Sequence, residues 1–302
     1  MTRQLFLFLS RQRTFRKWME TSQSARKLTR RFVAGETLEQ VVAVCERLRS
    51  DGFLCSLDHL GENVTSLEEA ASARDAYLKA LAALAERGLN ATISLKLTQM
   101  GLDFSEEACL DNVRALVERA RVAGTHVEID MESTAYTDRT LDVVEKIAGE
   151  CGCVRAVIQA YLFRSADDTE RMNRLHIPVR LVKGAYLEPD SAAFANKIDV
   201  DRNYLTLMKT LLDRGADPAV ATHDEHILGE ALRYARERGL GKDKFEFQLL
   251  YGIRRDLQRR LVDQGYRVRV YVPYGTAWYP YLLRRLAERP ANLLFLLRNL
   301  FR

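Results

Sequence analysis

Two adjacent arginines and a glutamate near the end of the chain could bind a substrate that carries both charges. In YLLRRLAERP, residues 281–290, helical periodicity places Tyr281, Arg284, Arg285 and Glu288 within one arc of roughly 100°. Paired guanidinium groups match a carboxylate or a phosphate with forked hydrogen bonds, and a glutamate one turn along can hold an ammonium group. The spacing predicts a site for a zwitterion, although a solvated helix face with weak internal ion pairs has the same pattern.

Eight short apolar or β-branched runs between residues 53 and 275 are candidate strands. In chain order they are FLCSLDHLG, ATISLKLT, THVEIDMES, VRAVIQAYL, PVRLVKGAY, PAVATHDE, FEFQLLYG and RVRVYVPYG. Helical patterns separate them, for example at residues 66–88 and 105–123, and Thr137 and Ser191 are plausible caps of two further helices. Eight strand–helix units predict an α/β fold, the (β/α)₈ barrel, with a doubly wound sheet as the competing architecture.

The helix at about residues 277–289 would then be the last barrel helix, over the mouth of the active site. Barrel chemistry gathers where strands end, and polar side chains occupy these ends: Asp58, Lys96, Asp130, Gln159, Lys183, Thr222, His223, Gln248, Tyr271 and Tyr274. A convergent set of this kind predicts an active site.

These residues alone leave several kinds of chemistry open. Lys96 or Lys183 could form a Schiff base, as in a class I aldolase, if burial favoured the neutral amine. His223 and His226 are weak evidence for a metal site, and we expect no metal. No phosphate-binding Walker loop or dinucleotide fingerprint is present, so any redox cofactor would have to be held by the barrel itself.

Positive charge is concentrated at the N-terminal end. The net charge is +5, whereas residues 1–35 hold nine Lys or Arg and one acid, a charge of +8, which leaves −3 for the remainder. We divide the chain into a basic helical arm (1–45), a catalytic barrel (46–290) and an apolar C-terminal helix (291–302). The arm and this last helix could rest on an anionic membrane surface without crossing it, and we expect no nucleic-acid partner.

Cysteine usage predicts the compartment. Five cysteines are scattered over 302 residues, an odd number that argues against a disulfide framework and favours a reducing compartment. No secretory signal with a cleavage site is recognisable. We therefore expect a cytoplasmic protein, with peripheral contact to the inner face of the membrane as a hypothesis.

Five motifs together resemble one family, the proline dehydrogenases, also called proline oxidases. VRLVKGAYLEP, EIDMES, ATHDE, FEFQLLYG and YLLRRLAERP occur in the family's order on the predicted barrel, and the similarity covers most of the chain. The chain resembles the short monofunctional bacterial form, because no aldehyde dehydrogenase domain accompanies the barrel. The resemblance implies FAD-dependent oxidation of L-proline to 1-pyrroline-5-carboxylate, the first step of proline catabolism, with electrons passed to a membrane quinone.

The resemblance also implies roles for individual residues. The proline carboxylate would be bound by Lys96, Arg284 and Arg285, and its amine would face Glu288. Tyr271 and Tyr281 would pack against the pyrrolidine ring. Asp130 would match an active-site acid of the family, and Arg180 would lie near the flavin N5 and stabilise the reduced ring. We infer, beyond the resemblance, that Asp130 orients Lys96 and Tyr271. The implied flavin contacts are Met131, Gln159, Arg180, Lys183, Gly184, Ala185, Thr222 and His223.

Overall fold

Eight parallel strands close into a barrel in the computed structural model, which describes residues 29–61 and 64–287. Each strand is hydrogen bonded to the next, and the eighth pairs with the first. The strands are β1 (Leu54–His59), β2 (Ala91–Leu95), β3 (Val127–Ile129), β4 (Val154–Gln159), β5 (Val179–Val182), β6 (Ala219–Ala221), β7 (Glu246–Leu250) and β8 (Arg267–Tyr274). All eight candidate strands are confirmed in order, and closure decides against the doubly wound sheet.

A helix follows every strand and covers the outside of the barrel. Helix α1 (Leu38–Ser50) precedes the barrel, and the others are α2 (Leu67–Glu86), α3 (Glu106–Val122), α4 (Thr134–Cys151), α5 (Ser165–Arg174), α6 (Lys197–Arg214), α7 (Glu225–Glu237), α8 (Arg255–Asp263) and α9 (Trp278–Ala287). Apolar side chains of strands and helices form a continuous core between the two layers. Within residues 29–61 and 64–287, no helix combines the length and apolar character that crossing a bilayer requires.

Serine hydroxyls cap two helices at the starts of the predicted helical segments, whereas the two predicted caps are wrong. Ser66 and Ser105 accept backbone N–H groups at the starts of α2 and α3. Thr137 is instead buried inside α4, which already begins at Thr134. Ser191 lies in a long loop after β5, and α6 begins only after Asn196, because that loop first pairs with residue 162 across an isolated bridge.

The segment before the barrel packs against its last βα connection. Residues 34 and 35 exchange backbone hydrogen bonds of 2.9 Å with the segment 273–275, and the Trp278 indole donates to the Glu36 carboxylate at 3.3 Å. Helix α1 continues across the predicted boundary at residue 45, and its buried face belongs to the barrel core. Residues 1–28 of the predicted arm and the predicted helix 291–302 lie outside the described residues.

The barrel interior is charged instead of apolar. Arg155 is fully buried and donates to Glu128 at 2.9 Å and to Glu246 at 2.6 Å. Arg269 donates to Glu246 at 2.9 Å, and Gln248 donates to Glu128 at 3.0 Å. Buried charges persist only when they are paired and hydrogen bonded, so these strands direct opposite charges at one another across the barrel axis.

Candidate active site

A cavity of about 590 Å³ opens at the carboxyl ends of the strands. It collects thirteen of the residues to which the sequence analysis assigned a role: Lys96, Asp130, Met131, Gln159, Arg180, Lys183, Gly184, Ala185, Thr222, His223, Tyr271, Tyr281 and Arg285. Of the polar strand ends, Tyr274 alone does not line it and packs against His59, with ring centroids 5.0 Å apart. Tyr274 is three residues after Tyr271, and side chains an odd number apart point to opposite faces of a strand.

Asp130, directly after β3, is the centre of the polar cluster. Its Oδ1 accepts from Arg180 at 2.5 Å, and its Oδ2 accepts from the Tyr271 hydroxyl at 2.7 Å. The Lys96 ammonium lies 3.8 Å from the same Oδ2. One carboxylate therefore contacts three of the predicted site residues, which lie on β5, on β8 and directly after β2.

Arg180 joins this cluster to the charged barrel interior. Its Nη2 donates to Ser94 at 2.8 Å and is ion paired with Glu128, and its guanidinium carbon lies 5.3 Å from the centre of the Tyr271 ring. Burial lowers the pKa of Arg180 from 12.5 to about 10. Because this value is still well above neutral pH, the guanidinium carries a full positive charge in the cavity.

The Tyr271 hydroxyl is a donor over the whole neutral range. Burial, which is the largest cause, and the carboxylates of Asp130 and Asp58 raise the pKa of this phenol well above its ordinary value of 10. A neutral phenol donates its proton to Asp130, while its ring lies over Arg180. Tyr271 thus contacts both Asp130 and Arg180, the two partners of one ion pair.

Lys183 is ion paired at the rim of the cavity. Its ammonium donates to Asp201 at 2.5 Å and to Asp224 at 2.7 Å. Asp224 also contacts Lys197, and these lysines hold its pKa at about 2, below its ordinary 3.8, against the opposing effect of burial. An ammonium between two carboxylates is not a free amine, so this geometry disfavours Lys183 as a Schiff-base nucleophile.

The chain segment after β5 approaches the end of β4. The Gln159 amide donates to the Glu132 carbonyl oxygen at 2.9 Å, and its oxygen accepts from the backbone N–H of Ala185 at 3.4 Å. Gly184 has a φ of +120°, and a β-carbon there would overlap the Tyr161 ring. Glycine is therefore required at position 184 by the protein's own packing.

His223 has a defined hydrogen-bonding role. Its Nε2 accepts the backbone N–H of Leu250 at 3.0 Å, so the proton of the neutral ring is on Nδ1. The nearby His226 is on α7 and does not line the cavity. Among residues 29–61 and 64–287, no three His, Cys, Asp or Glu side chains are grouped as metal ligands.

Helix α9 brings Tyr281 and Arg285 to the cavity. Leu282 and Leu283 are buried on its other face, and the Arg285 guanidinium carbon lies 5.3 Å from the centre of the Tyr281 ring. The predicted division of this helix into a polar and an apolar face thus matches the described side chains. The side chain of Arg284 and the whole of Glu288 lie outside the described part of the chain.

Sequence reasoning did not assign several residues that contribute to the cavity. Asp58 and Gln248 were recognised as polar strand ends but given no role, whereas Asp224 and Tyr186 were not singled out. The interior carboxylate Glu128, which contacts Arg180, was also missed. A signal was available, since Glu128 and Asp130 are two residues apart and must point to the same face of β3 and its extension.

Comparison with known proteins identifies the group to which this geometry belongs. The family model described as "Proline dehydrogenase" matches residues 41–298. The chain belongs to the proline dehydrogenase family. It is 42% identical to proline dehydrogenase 1 of Bacillus subtilis (strain 168) over 302 residues, 100% of both chains. It is 41% identical to proline dehydrogenase of Deinococcus radiodurans over 280 residues, 91% of this chain and 90% of that one.

Solved structures of the larger proline utilization A proteins resemble this proline dehydrogenase fold. A structure from Bdellovibrio bacteriovorus, inactivated by N-propargylglycine, matches with a TM-score of 0.81 and 27% identity, over 87% of this chain and 32% of that one. A structure from Bradyrhizobium japonicum matches with a TM-score of 0.76 and 27% identity, over 89% of this chain and 31% of that one. The match therefore covers one part of those longer proteins.

Proposed function

We propose that this chain oxidises L-proline to 1-pyrroline-5-carboxylate with FAD as its cofactor and a membrane quinone as the final electron acceptor. Family membership supports proline oxidation in proline catabolism. The observation that carries the finer proposal is the polar cluster around Asp130, with Lys96, Arg180 and Tyr271 within reach of one carboxylate. This cluster and Arg285 offer fixed charges of both signs around a space that suits a small amino acid.

The residues at the cavity fit a flavin. Arg180 is 4% exposed, and its Nε has no hydrogen-bond partner among the described residues. A buried donor left without a partner costs free energy, and the isoalloxazine ring offers acceptor atoms of the matching kind. Met131, Gln159, Lys183, Gly184, Ala185, Thr222 and His223 would complete the site. FAD, when bound, supplies the N5 atom that accepts a hydride from proline C5 and the ring that passes electrons to the quinone.

The protein's own groups would bind and orient the substrate. Lys96 and Arg285, with Arg284, would hold the carboxylate, because guanidinium and ammonium groups form charge-assisted hydrogen bonds with it. Tyr271 and Tyr281 would pack against the ring, and Glu288 would face the nitrogen. Asp130 would act by keeping Lys96, Tyr271 and Arg180 in place, and Arg180 would stabilise negative charge where electrons arrive.

An anaerobic absorbance spectrum, recorded before and after L-proline is added, tests the proposal. We expect the purified protein to show a flavin spectrum that bleaches with L-proline and recovers when a soluble quinone analogue is added. D-Proline serves as the control for correct binding. A protein that stays unreactive after FAD is supplied would overturn the proposal, and borohydride trapping at Lys96 would then test the aldolase alternative.

We also propose peripheral contact between the basic N-terminal segment and an anionic membrane, where a quinone is reached. The support is the +8 charge of residues 1–35 mixed with aromatic and aliphatic side chains, a composition typical of segments that lie on a membrane. Flotation with anionic and with neutral liposomes would compare the full chain with a chain lacking residues 1–28. Equal flotation of the two chains would show that this segment makes no contribution.

A further inference from the structure

One carboxylate at the cavity has no hydrogen-bonding or ion-pairing partner among the residues that the structure describes. Three described carboxylates line the cavity: Asp58, Asp130 and Asp224. Asp130 is held by Arg180 and Tyr271, and Asp224 is ion paired with Lys183. Asp58 is 3% exposed, and no hydrogen bond or ion pair joins its side chain to another described residue.

Leaving a carboxylate unpaired in this environment is costly for folding. A buried charge is less stable than a hydrated one, and no hydrogen bond or ion pair with a described residue offsets this cost for Asp58, although the charge of Arg180 interacts with it favourably. Its field extends to its neighbours: after the larger effect of burial, the Asp58 charge raises the pKa of Tyr77 and of Tyr274. A carboxylate kept at such a position is suited to a cationic ligand.

The position of Asp58 in the barrel matches the dimensions of an amino acid. Asp58 is on β1 beside Ser94 of β2, and Lys96 follows two residues after Ser94. Both side chains line the same cavity. Adjacent strands lie about 4.8 Å apart, a separation comparable with the size of one α-amino acid head group. A negative and a positive side chain on neighbouring strand ends therefore match the two charges of one zwitterion.

We propose that Asp58 accepts a hydrogen bond from the substrate's ring nitrogen and stabilises the positive charge that develops there during oxidation. The inference rests on the proposed proline oxidation and adds a residue to it. The hydride that would leave C5 for the flavin carries the electron pair of the C5–H bond, and the nitrogen lone pair forms the C=N bond. The nitrogen keeps its N–H proton and becomes a cationic iminium, and a fixed carboxylate beside it lowers the energy of the transition state.

The two protons on the substrate nitrogen have different roles. A secondary ammonium has two N–H donors, and Asp58 accepts one of them. The other proton must be released to solvent before hydride transfer, since the lone pair is needed. The proton that faces Asp58 remains through the reaction.

Replacing Asp58 by Asn, which is nearly isosteric, tests the proposal with two ligands in the FAD-bound enzyme. Cyclopentanecarboxylate has a methylene group in place of the nitrogen, so it reports on the carboxylate and ring contacts alone. We expect Asp58→Asn to weaken L-proline binding by about tenfold and to slow anaerobic flavin reduction at saturating proline by at least as much. Binding of cyclopentanecarboxylate, measured by calorimetry, should be unchanged or tighter.

Stability provides a second measurement that separates this role from a structural one. Because Asp58→Asn removes an unpaired buried charge, we expect the variant to unfold at the same denaturant concentration or a higher one. Asp263→Asn, the same chemical change at an exposed position on α8, is the matched control and should change the binding of neither ligand. Asp58→Ser repeats the test with a smaller neutral side chain.

The outcomes are distinct. Equal losses for L-proline and cyclopentanecarboxylate, or unchanged flavin reduction, would overturn the proposal, because each shows that Asp58 does not act on the nitrogen. Failure of both Asp58 variants to fold would also overturn it, because it would show that this carboxylate is kept to stabilise the fold. Failure of the wild-type flavin to bleach with L-proline would instead overturn the proposed function. The wild-type spectrum is therefore recorded first.

Discussion

The Tyr271 hydroxyl offers the most direct test of how the polar cluster is held together. Tyr271→Phe removes one oxygen and leaves the ring that lies 5.3 Å from the guanidinium carbon of Arg180. The contact that is lost is the 2.7 Å hydrogen bond from the hydroxyl to Asp130. The substitution therefore removes one donor from the carboxylate without opening a large cavity.

The size of the effect follows from the charge of the acceptor. A hydrogen bond to a charged group contributes about 1.5–3 kcal/mol net. Asp130 keeps Arg180 at 2.5 Å and Lys96 at 3.8 Å, so we expect the lower value, a loss of about 1.5 kcal/mol in the free energy of unfolding. The carboxylate oxygen should then draw Lys96 toward itself and away from the substrate, raising KM for L-proline by roughly three- to tenfold.

Urea denaturation at several pH values measures the stability effect, and steady-state kinetics measure KM. The raised pKa of Tyr271 means that the folded state keeps a proton that the unfolded chain loses above its ordinary pKa of 10. The stabilisation is thus fully present below pH 10 and is lost as the pH rises further, so the two proteins should converge in alkali. Tyr251→Phe is the control, because that hydroxyl makes no hydrogen bond within the described chain. Equal stability of Tyr271→Phe and wild type at pH 7, with unchanged KM, would refute the reasoning.

Three further substitutions test the interior and the rim. Burial, followed by the charges of two arginines, lowers the pKa of His126 from 6.5 to about 2. Below pH 6.5 the free energy of unfolding of the wild type should therefore fall by about 1.4 kcal/mol per pH unit more than that of His126→Gln. Acid denaturation curves that run parallel for the two proteins would contradict this. Arg155→Met removes a buried cation that Glu128 and Glu246 share and should lower the free energy of unfolding, measured in urea, by about 3–5 kcal/mol, with partial recovery in a double variant with Glu246→Gln. Gly184→Ala should lower stability and FAD affinity more than Gly124→Ala does. Both glycines have a positive φ, but only a β-carbon at position 184 would meet an aromatic ring. Equal losses for the two variants would show that backbone strain alone matters.

Local sequence patterns were sufficient to predict the barrel and the convergence of many polar side chains on one cavity. Eight alternating strand and helix patterns define a closed barrel because parallel strands need helical crossovers, and strand ends then converge whatever the details of packing. Lys96, Asp130 and Tyr271 could be named on that basis. Their shared contact at Asp130 could not, because it depends on side-chain reach between three strands that are distant in sequence.

Other features depend on tertiary structure that no local signal encodes. The ion pairs of Lys183 with Asp201 and Asp224 join a strand end to two different helices. The predicted cap at Ser191 failed because the loop after β5 packs against neighbouring elements before its helix begins. Helix propensity can suggest that a helix starts nearby, but tertiary contacts decide the residue at which it begins.

The charged interior explains how Arg180 can be buried and still present a positive charge to the cavity. The Arg180 side chain is 4% exposed. Glu128 contacts its guanidinium group from within the barrel, and Asp130 contacts it from the cavity. Glu128 is fixed in turn by Arg155 and Gln248. Because such buried pairs add little net stability over apolar packing, their value lies in orientation: the guanidinium is held at one angle before substrate or cofactor binds, so no reorganisation is needed when charge develops beside it.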